Sequence, residues 1–183
     1  MAKTISLLLI LTVVAFSTAF GQDPAAAERA TWENFSCSEG RFTFLVPTKP
    51  TVTNRELNSK VGKLTLYSYT SGNGVALFIG TFGDYPNAAD DSDEAERILD
   101  SVRNGVIRGA SAQLVSEKSM RVKGHPGREL TGTARVEEMD VIYTWRIFLV
   151  NRRLYQLTAA TLSTNANHPD LTKFLNSFEL TPQ

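Results

Sequence analysis

His125, Arg128 and Glu129 fall together in the short run GHPGREL. A histidine near a carboxylate is the pairing that general acid–base chemistry uses, and a neighbouring arginine can hold an anionic group. These three are the candidate functional residues of the chain, either for a small-ligand carrier or for an enzyme with a cleft around them. The competing explanation is structural. Gly124-His125-Pro126-Gly127 has the composition of a turn, and Arg128 would open the strand that follows. The chain holds two histidines in all. The second, His168, precedes Pro169-Asp170, where capping a helix start accounts for it. The turn explanation is preferred, and no catalytic residue is assigned.

Other chemistries have less to work with. Cys37 is the only cysteine, so one thiol and two distant histidines give no zinc spacing. Asp84, Asp90, Asp91, Asp93 and Glu94 bring oxygen ligands together, but the calcium-loop pattern with its central glycine is missing. Acidic residues are in any case expected in a first helical turn. No Gly-x-Ser-x-Gly elbow occurs, and neither Gly72-x-Gly74 nor Gly62-Lys63 completes a phosphate loop. No metal and no cofactor is expected. Cys37 shares strand parity with Phe35, which predicts a buried thiol; a bridge between chains is the alternative. Tyr67 with Tyr69, and Tyr143 with Trp145, share strand faces. Core packing explains such pairs better than a ligand groove does.

The elements that would carry these residues are mostly strands. Apolar alternation marks 32–37, 41–46, 52–57 and 63–70. Pro47 and Pro50 end the second of these. Gly72-Asn73-Gly74 is a hairpin signal, and the run from Val75 to Phe82, apolar nearly throughout, predicts a strand covered on both faces. The period then changes. Ala95, Ile98, Leu99, Val102, Val106 and Ile107 lie on one helical face, predicting a helix over 92–108 that Gly109 closes. Asp91 and Glu94 have the spacing of a capping box. Strands follow at 113–123, 128–136, 139–150 and 154–162, with a turn at Asn151-Arg152. His168-Pro169-Asp170 opens a short helix to about 176, and 177–180 is extended. Consecutive hairpins with two helices predict an α+β fold: an antiparallel sheet with helices packed on its faces, an α/β/α-type sandwich.

The N-terminus predicts the compartment. Lys3 precedes an apolar run over 5–16, too short to span a bilayer, and Ala19 and Gly21 offer the small residues of a cleavage site. Residues 1–21 are expected to be a signal peptide, 22–31 a flexible arm and 32–183 a single domain. Gln22 follows the cleavage site, so no lipid-anchor cysteine is present. The whole chain balances 19 basic against 19 acidic residues, and without Lys3 the net charge is −1. No broad basic field exists for nucleic acid or anionic lipid. A soluble exported protein, periplasmic or extracellular, is expected.

The order of elements resembles the PsbP-like superfamily. The resemblance rests on Gly40-Arg41-Phe42 running to Pro47, the helix at 92–108, the turn over Gly124–Glu129, the hairpin over 139–162, and the short helix leading to Ser177-Phe178-Glu179-Leu180. The pieces GHPGREL and NSFEL carry most of it. Members of that superfamily largely bind other proteins, and the resemblance supplies no catalytic set. It implies a non-catalytic binding or assembly module whose partner is another envelope or secreted protein.

Overall fold

The computed structural model describes residues 31–59, 62–85 and 92–182. The expected signal peptide, nearly all of the arm, and Asp90 and Asp91 lie outside these residues. Ten strands, two α-helices and one 3-10 turn make up the rest, and every strand pairing is antiparallel.

Seven strands form the main sheet: β3 (Thr51–Ser59), β4 (Gly62–Gly72), β5 (Ala76–Asp84), β6 (Gln113–Val122), β7 (His125–Val136), β8 (Met139–Val150) and β9 (Arg153–Leu162). Their order is β3-β4-β5-β9-β8-β7-β6. The inserted helix α1 (Ser92–Gly109) carries the chain from β5 to the far edge strand β6. It covers one face of the sheet. Leu99 and Val106 of the helix join Leu130, Val141, Tyr143, Trp145 and Ile147 in one buried cluster. The two rings of Tyr143 and Trp145 are stacked there, 5.1 Å apart.

The opposite face is covered differently from the expectation. A second, three-stranded sheet lies over it, with β2 (Phe42–Val46) between β1 (Glu33–Cys37) and β10 (Glu179–Leu180). Helix α2 (Pro169–Asn176) completes this layer. The α/β/α sandwich is thus corrected to a sheet-rich α+β fold, with a helix on one face and a small sheet plus a short helix on the other. The departure begins at Pro47 and Pro50. They stop β2 and swing the chain from the small sheet into the main one. The crossing is tied down at Thr48, whose backbone N–H donates to Ser71 Oγ at 3.2 Å while that hydroxyl donates to the Thr48 carbonyl at 2.9 Å.

Aromatics fill the interior between the two sheets. Phe42 lies 5.3–5.9 Å from the rings of Phe44, Tyr69, Phe82, Tyr155 and Phe178. Phe42, Phe44, Phe78 and Phe174 are almost wholly excluded from water, each stabilising the fold by about 1.5–3 kcal/mol. The small sheet can approach this closely because position 80 is glycine. A Cβ there would collide with the Phe44 ring.

Cys37 is buried, as expected from its parity, and packs in this layer. Its Sγ accepts from Gly40 N at 3.2 Å and lies 3.1 Å from Tyr69 Oη. Burial pushes the Tyr69 hydroxyl pKa well up.

Candidate functional site

The three candidates do not share a cleft. Adjacent residues on a strand point to opposite faces, and Arg128 and Glu129 obey this on β7. Arg128 faces α1. Its Nη1 donates to Asp100 Oδ1 at 2.6 Å and to Glu117 Oε1 at 2.7 Å, and its Nη2 donates to Glu96 Oε2 at 2.7 Å. The guanidinium thereby ties two carboxylates of the helix and one of the edge strand to β7. Burial alone would lower the Arg128 pKa; the bonds it donates to Glu96, Asp100 and Glu117 outweigh it and raise it.

Glu129 faces the small sheet and α2. It lies opposite Lys118 on β6 and Arg146 on β8. Lys118 Nζ donates to Oε1 at 2.8 Å and Arg146 Nε to Oε2 at 2.6 Å. Arg146 Nη1 then reaches the carbonyl of Leu175 at 2.8 Å, near the end of α2. Burial works to raise the Glu129 pKa, but the bonds from Lys118 and Arg146 hold it below the usual carboxylate range. Arg128 ties the helix layer to the sheet, whereas Glu129 ties three neighbouring strands together and holds Arg146, which carries the link on to α2.

His125 alone lines a cleft, of about 400 Å3, at one end of the main sheet. The turn before it is shorter than the sequence suggests. Lys123 (φ 47°) and Gly124 (φ 86°) make the whole of it, a two-residue hairpin connection of the kind positive φ allows. His125, Pro126 and Gly127 already belong to β7. Pro126 is tolerated because pairing with β8 starts only at Gly127.

The cleft gathers cations that the sequence analysis did not single out. Arg41, Lys123, Arg152 and Arg153 line it with His125, and among the described residues Asp84 is its single carboxylate. Arg153 is fixed in place. Its Nε and Nη2 make a fork to the two Asp84 oxygens, both at 2.6 Å, its Nη1 donates to the Glu39 carbonyl at 2.7 Å, and it lies 5.1 Å over the Phe82 ring. The hydrogen bond from Arg153 holds the Asp84 carboxyl below its ordinary pKa. Tyr155, at the floor, donates its hydroxyl to the Gly40 carbonyl at 2.7 Å. Arg41, Lys123 and Arg152 are exposed at the rim. Lys123 Nζ donates to the Leu180 carbonyl at 2.7 Å and Arg152 Nε to the Tyr85 carbonyl at 3.1 Å, while the charges of Arg41 and Arg152 add to that of Arg153 on Asp84. A signal for this assembly exists in the sequence. Antiparallel hairpins put alternate turns at the same sheet end, so the β6–β7 and β8–β9 turns must meet there, and both are basic.

His168 caps α2: its Nδ1 accepts from Asp170 N at 3.3 Å. Among the described residues, no group of three or more His, Cys, Asp or Glu side chains is placed to hold a metal ion. Nor is any helix of these residues long and apolar enough to cross a membrane.

No family model matches the chain, and no curated protein does. Solved structures do. Cyanobacterial PsbP (CyanoP) from Synechocystis sp. PCC 6803 superposes with a TM-score of 0.51 at 13% identity, covering 82% of this chain and 93% of that one. A protein of unknown function from Pseudomonas aeruginosa matches over 77% of this chain and 90% of its own, at 11% identity and a TM-score of 0.41. The fold is PsbP-like.

Proposed function

We propose that the chain is an exported, non-catalytic binding module of the bacterial PsbP-like kind, working in the periplasm or outside the cell on another envelope or secreted protein. Export rests on the N-terminal signal pattern, with cleavage after Gly21; the intact mass of the exported protein tests it, and a retained leader would refute it. The observation that carries the binding reading is the character of the cleft. It offers charge from several turns but no aligned proton-transfer pair. His125 has no hydrogen-bonded carboxylate to orient it among the described residues, and Glu129, the acid nearest in sequence, is held on both oxygens by Lys118 and Arg146.

In-cell crosslinking followed by purification tests this reading. A protein partner in fixed ratio is expected, and His125→Ala should retain it. A stoichiometric small molecule in native mass spectra with no protein partner would overturn it. So would complete loss of function in His125→Ala with an unchanged melt. Either result would favour a ligand carrier or an enzyme, with His125 as the first residue to pursue.

A further inference from the structure

We infer that the free edge of β6 pairs with the same edge of a second copy of this chain, antiparallel about a two-fold axis through Ser119, so that two main sheets join into one. The inference goes beyond the binding-module reading and does not depend on what the cleft holds. β6 ends the main sheet: β7 pairs one side of it, and no strand among the described residues pairs the other. The strand is exposed from Gln113 to Ser119, although the Glu117 side chain folds back to Arg128. The backbone N–H and C=O groups of such an edge are a template for another strand. Three large hydrophobic residues are exposed among the described residues, and two of them stand at the start of β6: Leu114 at 44% and Val115 at 62%. A bulge interrupts the pairing with β7 between Leu114 and Ser116, leaving Val115 as the extra residue. From Ser116 to Val122 the pairing is regular.

This regular stretch selects both the occupant and the register. In an antiparallel pair, residues directly opposite share a face, and a two-fold interface is self-complementary. Glu117, Ser119 and Arg121 face α1, whereas Ser116, Lys118, Met120 and Val122 face the other layer. With the axis at Ser119, Glu117 of each copy stands opposite Arg121 of the other, and all of Ser116–Val122 is used. On the other face, the apolar stem of Lys118 lies against Met120. An axis at Glu117, Lys118 or Arg121 would instead set identical charges face to face, which is destabilising. Arg121 is exposed, and only its Nη1 is engaged within the chain, donating to the Gly124 carbonyl at 2.6 Å. Glu117 accepts from Arg128 on one oxygen and from Arg103 on the other, and each oxygen keeps a further lone pair. Edge lysines commonly deter strand pairing. Here the Lys118 ammonium is drawn back over the sheet to Glu129, 2.8 Å away. Just beyond the regular stretch, Leu114 and Val115 of one copy come beside the Lys123-Gly124 turn of the other, which covers them.

Disulfide trapping in the full chain reads the register. Only Ser119 lies on the axis, so Ser119→Cys should oxidise to a covalent dimer, with Cβ atoms about 4.5–5.5 Å apart across the strands. Ser116→Cys should not, because its copy lies about 20 Å away along the strands, beyond the reach of a disulfide. Cys37 is buried and adds no background. Sedimentation velocity from about 1 μM to about 1 mM protein should show a dimer that grows with concentration. Arg121→Glu should weaken it at least about tenfold, since each dimer exchanges two opposite-charge pairs for two like-charge ones. Val115→Lys should weaken it several-fold. Both variants should melt as the parent does, and Arg97→Glu, on the exposed side of α1, should stay within about twofold of the parent. A monomer throughout the concentration range would overturn the inference. So would equal trapping at positions 116 and 119, or a dimer that Arg121→Glu leaves intact. A chain that stays monomeric alone, yet loses capture of a different protein in Val115→Lys, would assign the β6 edge to that protein; the pairing of two copies would then fall while the binding-module reading stands.

Discussion

Replacing Arg128 with Met should destabilise the fold by about 2 kcal/mol while leaving partner capture intact. The magnitude follows from its three ion pairs. The Arg128 side chain is 11% exposed, but the carboxylates of Glu96, Asp100 and Glu117 are 58%, 49% and 24% exposed. Breaking a fully buried pair costs about 3–5 kcal/mol, and an exposed pair is worth about 0–1 kcal/mol. Glu96 and Asp100 can rehydrate in place, so each belongs near the exposed limit. Glu117 is more enclosed, yet Arg103 still reaches it at 3.0 Å and Asp100 at 3.7 Å. The total therefore lies well below a buried triad, and Met recovers part of the lost packing. For a domain of this size, about 2 kcal/mol lowers Tm by roughly 4–8 °C. Arg128→Lys should fall between, since one ammonium cannot reproduce the fork. Urea melts at neutral pH measure both. A Met variant within about 0.5 kcal/mol of the parent would show that α1 is held by its apolar face alone. A stable Met variant that no longer captures its partner would return Arg128 to the functional site.

Trp145→Ala should cost about 3–5 kcal/mol, since the ring is 2% exposed and stacked on Tyr143. His125→Ala, at the mouth of a cleft, should stay within about 0.5 kcal/mol; equal losses in urea melts would contradict the two placements. A thiol reagent should label Cys37 only on unfolding, given its burial and its bonds to Gly40 and Tyr69, and rapid native labelling would refute this. Glu129 has a folded pKa below its unfolded value near 4.5. Its contribution is therefore fully present above that value and lost as pH falls through the folded one. The stability gap between the parent and Glu129→Gln should be widest near neutrality and close in strong acid; a gap independent of pH would refute the assignment.

Periodicity placed most elements within a residue or two. The helical face from Ala95 to Ile107 marks α1, and the alternation in Val141, Tyr143, Trp145, Ile147 and Leu149 marks β8. Which sheet a strand joins is another matter. Phe42, Phe44 and Val46 alternate as any half-buried strand does, and alternation records a buried face without saying what buries it. The helix on each face was therefore only half right. At the cleft the difficulty is of the same kind. Proximity in sequence grouped His125 with Arg128 and Glu129, while the pleat sends the last two to opposite layers. Of the cations that share the space with His125, Lys123 lies on its own turn, Arg152 and Arg153 come from the β8–β9 turn at the same sheet end, and Arg41 from the entry to β2, so for the last three topology and not sequence proximity makes the link.

The adjacent opposite charges Arg128 and Glu129 of β7 also bear on how the chain finds its pairing. A strand that slips by one residue inverts every side chain. In β7 such a slip would turn Arg128 toward Lys118 and Arg146, and Glu129 toward Glu96, Asp100 and Glu117. Like charges would then meet on both sides of the sheet at once, where the native arrangement has five opposite-charge contacts. The pair works as a two-sided key: an out-of-step sheet is penalised on each face independently. Neutralising either residue would loosen alignment as well as stability, and misfolded or slowly refolding chains would be expected in such variants even where the final native state survives.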